Sequence, residues 1–270
     1  MYYLKTYHEM LGFSALMSYP NIFHFTTTRN GGVSTGNYAT LNGSIFSGDE
    51  ANAVQRNWER ILSYSPIQPL CIVRPYQTHD NLVYCIDEEF LSCTEAEQGK
   101  LVHGIDALIT NLPRVLITVA TADCVPITLY DPIRNVIAVV HAGWRGTVKR
   151  VLAKTTQRMI ESYRSNIKDI KFCIGPSISL ENFEVGDEVV DEFRKANFSM
   201  DNIVKYNPKT TKNHIDLWAA NTQQIEELGA LKENIYLADK CTYREHDEFF
   251  SARRLGIASG RIITGIMLNE

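Results

Sequence analysis

Residues 115 to 141 read Val115-Leu-Ile-Thr-Val-Ala-Thr-Ala-Asp-Cys-Val-Pro-Ile-Thr-Leu-Tyr-Asp-Pro-Ile-Arg-Asn-Val-Ile-Ala-Val-Val-His141. Within this stretch, three runs rich in β-branched and aromatic residues predict strands at 115–120, 125–130 and 136–140. The runs are apolar at nearly every position, which is typical of strands that are covered on both faces. The turn residues from Asp131 to Asn135 separate the last two runs. The stretch therefore predicts buried strands, two of which form a hairpin.

The segments on either side alternate between strand-like and helix-like patterns. Further strands are predicted at 22–29, 71–74, 82–86, 107–110, 170–174, 234–238 and 262–267. Helices are predicted between Glu50 and Pro66, and at 147–163, 187–196 and 216–228. Strands and helices in this order, with hairpins among them, indicate an α+β fold with a mixed sheet. No repeat, low-complexity tract or linker interrupts residues 1–270, so a single domain is predicted.

The composition is that of an ordinary globular protein. Of the 270 residues, 44 % are apolar and 21 % are charged, and the formal net charge is -4. This charge does not favour nucleic acid or an anionic membrane as a partner. Residues 1–10 lack the basic start and apolar core of a secretory signal, and no apolar run is long enough to span a bilayer. The six cysteines show no regular spacing, so we expect reduced thiols in a cytoplasmic protein.

The predicted hairpin brings a thiol and an imidazole together. Residues that face each other across a hairpin have a constant sum of residue numbers, and a turn centred near residue 133 gives about 265–266. Cys124 would then lie opposite residues 141–142, beside His141. His79 also lies near the end of a strand-like run, and Gly143 and Gly146 allow a backbone turn close to this site.

This set of side chains leaves two kinds of chemistry open. One thiolate and two imidazoles are a common ligand set for Zn²⁺ with an open fourth position, and they are compatible with copper. The same thiol and imidazole could instead form a Cys/His catalytic pair without a metal. Taken singly, each of these residues is more often a core side chain than a functional one.

Arginines could complete a pocket for an anion such as phosphate. Arg29 precedes two glycines, Arg145 lies within Gly-Trp-Arg-Gly, and Arg254 belongs to the pair 253–254. A surface salt bridge is the alternative for each of them. Asp216 and Asn221 have the character of residues that begin a helix.

Several motifs resemble those of the YfiH/YlmD family. They are Gln77-Thr-His79, Asp106-Ala-Leu-Ile-Thr110, Thr121-Ala-Asp-Cys-Val-Pro126, His141-Ala-Gly-Trp-Arg-Gly-Thr147, Ile174-Gly-Pro-Ser-Ile178, Phe183-Glu-Val-Gly186, Asp216-Leu-Trp-Ala-Ala-Asn221 and Cys241-Thr242. The family has been called multicopper polyphenol oxidase (laccase) and, more recently, a purine nucleoside phosphorylase family. The matching motifs run in family order from about Phe25 to Arg261.

The resemblance implies a fold, a metal and an activity. The fold is a single α/β domain with sheets layered between helices, similar to cysteine hydrolases. The metal, usually zinc, would be held by His79, Cys124 and His141. The activities are phosphorolysis of adenosine, inosine and methylthioadenosine, and deamination of adenosine. The substrates would be a purine nucleoside and phosphate, and we expect Arg29, Gln77, Arg145 and Arg254 to bind them.

Two loops depart from the family pattern. The family often has N-L-G-x-H-x-G-D, where this chain has Phe46 at the polar position. Near the end it often has S-x-R-R-D-G-x-T-G-R, where this chain has Leu255 and Ser259. The expected metal ligands are unchanged, and the departures at positions 255 and 259 bear on the choice of substrate.

Several functions are compatible with these residues. A multicopper oxidase binds its copper ions largely through imidazoles, and this chain has seven histidines and no H-x-H pair. We therefore favour a zinc-dependent nucleoside enzyme, with Cys124, His141 and Asp123 as catalytic residues and Asp123 as a proton shuttle. The alternatives are a metal-free Cys/His amidohydrolase that edits peptidoglycan precursors, and a module that binds a nucleoside without turnover.

Overall fold

The computed structural model describes residues 1–3 and 9–270 of the chain. The stretch 1–10, in which no export signal was predicted, lies partly outside these residues. Within the described ranges, no helix has the length and apolar character that crossing a membrane requires. All six cysteines lie in these ranges and are free thiols, as expected.

Fifteen strands are present in the described residues, and we number them in chain order. They are β1 (Tyr2–Tyr3), β2 (Met10–Gly12), β3 (Ile22–Thr27), β4 (Cys71–Val73), β5 (Val83–Cys85), β6 (Ala107–Thr110), β7 (Val115–Thr121), β8 (Val125–Asp131), β9 (Val136–Ala142), β10 (Lys171–Ile174), β11 (Glu184–Val185), β12 (Val204–Asn207), β13 (Lys212–Ile215), β14 (Ile235–Leu237) and β15 (Ile262–Leu268). Each strand predicted from the sequence is among them, within two residues at either end.

Ten α-helices accompany these strands in the same part of the chain. They are α1 (Ser14–Met17), α2 (Ala51–Leu62), α3 (Glu88–Ser92), α4 (Glu95–Leu101), α5 (Trp144–Val148), α6 (Val151–Tyr163), α7 (Asp187–Lys195), α8 (Met200–Ile203), α9 (Leu217–Glu227) and α10 (Ala252–Leu255). Asp216 caps α9 as predicted, because its side chain accepts the backbone N–H of Ala219. Asn221 lies inside α9 and does not begin a helix, which corrects that prediction.

Two mixed sheets of six strands each form the centre of the fold. The first has the order β1-β2-β3-β15-β7-β4, and the second has the order β14-β10-β8-β9-β6-β5. A smaller antiparallel sheet, β11-β13-β12, was not predicted. The two large sheets face each other across one apolar core, to which alternate residues of β7 and β9 contribute. The other residues of these strands face α2 on one side and α6 and α9 on the other. Strands covered on both faces and mixed sheets layered between helices are thus confirmed.

The pairing of β8 with β9 is shifted by one to two residues from the predicted register. Val125 faces Ala142 and Pro126 faces His141, so the sum of residue numbers is one to two higher than expected. The reason is the turn: Asp131 still pairs with Val136, and its Oδ1 accepts the backbone N–H groups of Ile133 and Arg134. Continued by one residue, this register places Cys124 across from Gly143 rather than across from residues 141–142.

The helix predicted at 147–163 is two helices. The first begins earlier, at Trp144, and the second begins at Val151. Arg150 separates them in the left-handed region, with φ of 63°. Its guanidinium bonds Glu227 and the carbonyl of Ala196, so contacts outside the helix hold this break. The break turns the short helix α5 toward the site described next.

Candidate metal centre

Three segments of the chain meet where β7 leaves the first sheet and β8 enters the second. Cys124 is the last residue of the crossing segment, directly before β8. His141 is the second-last residue of β9, and His79 lies in the loop between β4 and β5 with φ of 61°. The site therefore lies at the edge of both large sheets, and its geometry depends on how the sheets face each other.

The donor atoms of these three residues are close enough to share one ion. Within the described residues, His79, Cys124 and His141 form the one group of this kind, with ligand atoms within 4.8 Å of one another. The two imidazole rings are 4.7 Å apart, centroid to centroid, at an angle of 79°. Ligands of a tetrahedral zinc ion lie on the order of 3.5 Å apart, from the usual bond lengths, so modest side-chain adjustment suffices. His79 is exposed, which leaves one side open.

Asp106 holds the residues of this centre in place through its carboxylate. It was not predicted from the sequence as a site residue. It is fully buried and lies directly before β6. Oδ1 accepts Nδ1–H of His141 at 2.7 Å and the backbone N–H of His79 at 3.1 Å. Oδ2 accepts the backbone N–H of Asp80 at 2.8 Å. Asp106 thus fixes the tautomer of His141, leaves its Nε2 for a ligand, and holds the loop of His79.

The electrostatics of the centre favour a thiolate. Burial alone raises the pKa of Cys124, but the neighbouring His141 and His79 lower it to about 6. Burial alone lowers the pKa of His141, but Cys124 and Asp106 raise it to about 9. A thiolate is the form that binds a metal and also the form that acts as a nucleophile.

The absence of a side chain at Gly143 leaves room for the side chains of Cys124 and His79. A Cβ atom at this position would lie 3.0 Å from Sγ of Cys124 and 3.0 Å from Cδ2 of His79. Its φ of -67° is open to any residue, so this close approach is the reason for glycine. Carbonyl O of Gly143 also accepts the N–H of Thr147, which begins α5.

Asp123, predicted as a proton shuttle, has both carboxylate oxygens engaged. Oδ1 accepts the hydroxyl of Thr242 at 2.7 Å. Oδ2 accepts the hydroxyl of Ser251 at 3.0 Å and the backbone N–H of Arg253 at 2.7 Å. With φ of 82°, Asp123 points back from the crossing segment toward α10. This arrangement connects Cys124 to the C-terminal part of the chain and favours a positioning role.

The centre opens into a cavity of about 860 Å³, a size that suits a nucleoside together with phosphate. Arg145, Arg253 and Arg261 line it. Arg253 donates to the carbonyl of Glu184, and Arg261 donates to backbone carbonyls of its own loop. Arg145 is exposed and lies over the ring of Trp144 at 4.3 Å, and we find no hydrogen bond from its guanidinium to the described residues. Arg145 is therefore the cavity arginine whose donors are open to an anion.

The other residues expected to bind substrate lie differently. Arg29 and Arg254 are not among the residues that line the cavity. Arg29 donates to the carbonyls of Ala39 and His246, and Arg254 donates to the carbonyl of Tyr243. Gln77 does line the cavity, but its amide bonds both the N–H and the carbonyl of Ala120. The structure thus uses Arg29 and Arg254 to hold loops, and Gln77 to join the His79 loop to β7.

Comparisons with known proteins agree on one family. The profile of the family described as multi-copper polyphenol oxidoreductase laccase matches residues 23–269. A relative from Bacteroides thetaiotaomicron, named purine nucleoside phosphorylase, is 47 % identical over 262 residues, with 97 % of each chain covered. A relative from an unknown prokaryotic organism, named adenosine deaminase RL5, is 42 % identical, with 90 % of this chain and 92 % of that protein covered.

Solved structures show the same likeness. The crystal structure of the hypothetical protein YfiH from Bacillus licheniformis superimposes with a TM-score of 0.89 at 26 % identity, covering 97 % of each chain. The structure of YlmD from Geobacillus stearothermophilus gives a TM-score of 0.84 at 28 % identity, covering 93 % of each chain. Both matches extend over nearly the whole chain.

Proposed function

We propose a function from the premise that this chain belongs to the YfiH family, whose profile is described as multi-copper polyphenol oxidoreductase laccase. The proposal is a metal-dependent purine nucleoside enzyme. It would cleave adenosine, inosine and methylthioadenosine with phosphate, giving the base and ribose 1-phosphate, and would also deaminate adenosine. Relatives named purine nucleoside phosphorylase and adenosine deaminase support both activities. The observation that carries the proposal is the three-donor centre, which opens into a nucleoside-sized cavity beside Arg145.

His79, Cys124 and His141 would hold the metal. The donor set fits zinc, because a thiolate and two imidazoles within 4.8 Å leave one position open. The same ligands suit copper, so zinc is the first expectation and copper the second. A metal bound there supplies positive charge that stabilises anionic groups during the reaction.

The residues around the centre have separate tasks in this proposal. Arg145 binds and orients phosphate through its open donors. In phosphorolysis a phosphate oxygen forms a bond to C1′ while the bond from C1′ to N9 breaks, and the base leaves with the electron pair. Asp106 keeps His141 and the His79 loop in place, and Asp123 fixes the crossing segment. In deamination water adds at C6 and ammonia leaves.

The oxidase description fits the described residues less well. A multicopper oxidase needs several copper ions, and the described part of the chain brings together one group of three donors. This single group supports nucleoside chemistry over oxidation of polyphenols.

The test is turnover by the purified protein together with its metal content. We expect adenosine with phosphate to give adenine and ribose 1-phosphate, and adenosine without phosphate to give inosine, in preparations that hold about one metal per chain. Cys124→Ala and His141→Ala should abolish both activities while the fold persists. Cys93→Ala is the matched control, because this thiol donates to the carbonyl of Glu89 and does not line the cavity.

Three outcomes would contradict the proposal in different ways. Activity that survives in Cys124→Ala or His141→Ala would remove the shared centre. Full activity in protein stripped of metal by a chelator would favour a metal-free Cys/His enzyme. Nucleoside binding without any product in metal-loaded protein would favour a binding module.

A further inference from the structure

Two aromatic side chains form a wall at the mouth of the cavity. Phe46 is 50 % exposed and Tyr76 is 43 % exposed, and both line the cavity. Their ring centroids are 5.1 Å apart with the planes at 86°, an edge-to-face contact. Single exposed apolar side chains are normal on a protein surface. Two exposed aromatic rings that contact each other beside a reactive centre are not covered by this rule. We call the pair of Phe46 and Tyr76 the aromatic wall.

Tyr76 is held rigidly on its own side of the wall. Its N–H donates to the carbonyl of Val102, and its carbonyl accepts the N–H of Gly104. Its ring stacks on His103, with centroids 4.8 Å apart and planes only 10° from parallel. Tyr76 also lies three residues before His79, so the same loop carries the wall and one ligand of the centre.

The loop of Phe46 is fixed by a side-chain network. The amide of Asn42 donates to the hydroxyl of Ser47, and its Oδ1 accepts the N–H groups of Ser44 and Arg261. The N–H of Phe46 donates to the hydroxyl of Ser44 at 3.2 Å. A side chain exposed to water on so constrained a loop is preorganised, because little entropy remains to be lost when a ligand contacts it.

We propose that the aromatic wall is the surface that the purine base contacts. The inference rests on the proposed function and names the part of the substrate that this wall recognises. A purine base is a planar ring with apolar faces, and base–aromatic contacts do not depend on which base is bound. The ribose and the phosphate carry hydroxyls and charge instead, which suit Arg145 and the metal centre. The wall therefore sets affinity for the base and accepts adenine and hypoxanthine alike.

The test measures nucleoside binding and phosphate dependence separately. Calorimetric titration of the zinc-loaded protein with inosine, which has no amino group to lose and is not cleaved without phosphate, gives the nucleoside Kd. Phe46→Ala and Tyr76→Ala should each raise this Kd roughly tenfold. They should raise the Kd of free adenine by the same ratio, while the KM for phosphate and the zinc content stay within twofold of the wild-type values. Tyr76→Phe keeps the ring and should bind inosine within twofold of the wild type.

A control and two distinct failures complete the design. Leu70→Ala removes a side chain that is 69 % exposed and does not line the cavity, so its Kd should not change. If the wild type is active and both alanine variants bind inosine within twofold of it, the aromatic wall is overturned and the proposed function stands. If the wild type neither binds nor converts adenosine, the proposed function fails and the wall fails with it. Unfolding curves confirm that each variant is folded.

Discussion

Replacing Asp106 by asparagine tests whether this buried carboxylate organises the candidate metal centre. The least costly orientation of the new amide keeps its oxygen at the position of Oδ1, where it still accepts from His141 and His79. The amide nitrogen then replaces Oδ2 and faces the N–H of Asp80, which donates at 2.8 Å in the wild type. Two donors would face each other in a buried site, and a charged acceptor would be lost.

The contacts of Asp106 set the expected loss of stability and of zinc affinity in Asp106→Asn. A hydrogen bond to a charged group contributes about 1.5–3 kcal/mol, and the second bond to Oδ2, from Thr78, is long at 3.4 Å. We therefore expect Asp106→Asn to lower the free energy of unfolding by about 2–3 kcal/mol. Loss of an outer-sphere partner typically weakens metal affinity about 10–100-fold, and we expect the zinc affinity to fall within this range.

Urea unfolding measures the first effect, and competition with a chromogenic chelator measures the second. Asp80→Asn is the control, because Asp80 is 42 % exposed and its salt bridge to Lys149 at 2.8 Å lies at the surface. That variant should change stability by less than about 1 kcal/mol and leave zinc affinity unchanged. A folded Asp106→Asn protein that binds zinc as tightly as the wild type would refute this reasoning.

Three further predictions concern space, charge and pH. Gly143→Ala should weaken zinc binding about tenfold or more, measured by the same competition, because its Cβ would lie 3.0 Å from Sγ of Cys124. Arg145→Ala should raise the KM for phosphate about tenfold in steady-state assays, since its donors are open to the cavity. His24 is buried and accepts the N–H of Phe13 at 2.9 Å, and burial lowers its pKa to about 4. The folded state favours the neutral imidazole, and this preference contributes fully to the free energy of unfolding above the ordinary pKa of 6.5. The contribution is lost as the pH falls to about 4. Urea unfolding at pH 7 and pH 4 should therefore show a loss about 3 kcal/mol larger in the wild type than in His24→Gln, which keeps an acceptor.

Each of these predictions has a result that contradicts it. Unchanged zinc affinity in Gly143→Ala would mean that the donors have room to move. An unchanged KM for phosphate in Arg145→Ala, with Arg194→Ala as the surface control, would transfer anion binding to another residue. Parallel stability curves for the wild type and His24→Gln would mean that this imidazole titrates normally in the folded state.

The sequence predicted the central strands well because their signal is local. Runs such as 136–140 are apolar throughout and end at turn residues, so neither neighbours nor partners are needed to recognise them. The register was less accurate, because it depends on how Asp131 closes the turn, a detail of side-chain hydrogen bonding. The adjacency of Cys124 and His141 survived this error, since both lie at the same end of the hairpin.

The parts that the sequence could not supply depend on tertiary contacts. Asp106 is one aspartate among many until β6 places it beneath His141, although its position directly before a strand was a usable signal. Arg29 and Arg254 were chosen for their motifs, but only the folded chain shows that they lie outside the cavity lining and donate to backbone carbonyls. The small sheet of β11, β12 and β13 escaped prediction because its strands are short and mostly polar.

The position of the centre at the junction of the two large sheets has a consequence for folding. His79 comes from a different segment than Cys124 and His141, so only the folded chain holds all three donors together for one ion. An ion that binds the folded state alone adds stability by mass action, about 2.7 kcal/mol at a free concentration one hundred times its Kd. Zinc should therefore act as a ligand that reports assembly of the two sheets, with an unfolding midpoint that rises as free zinc rises.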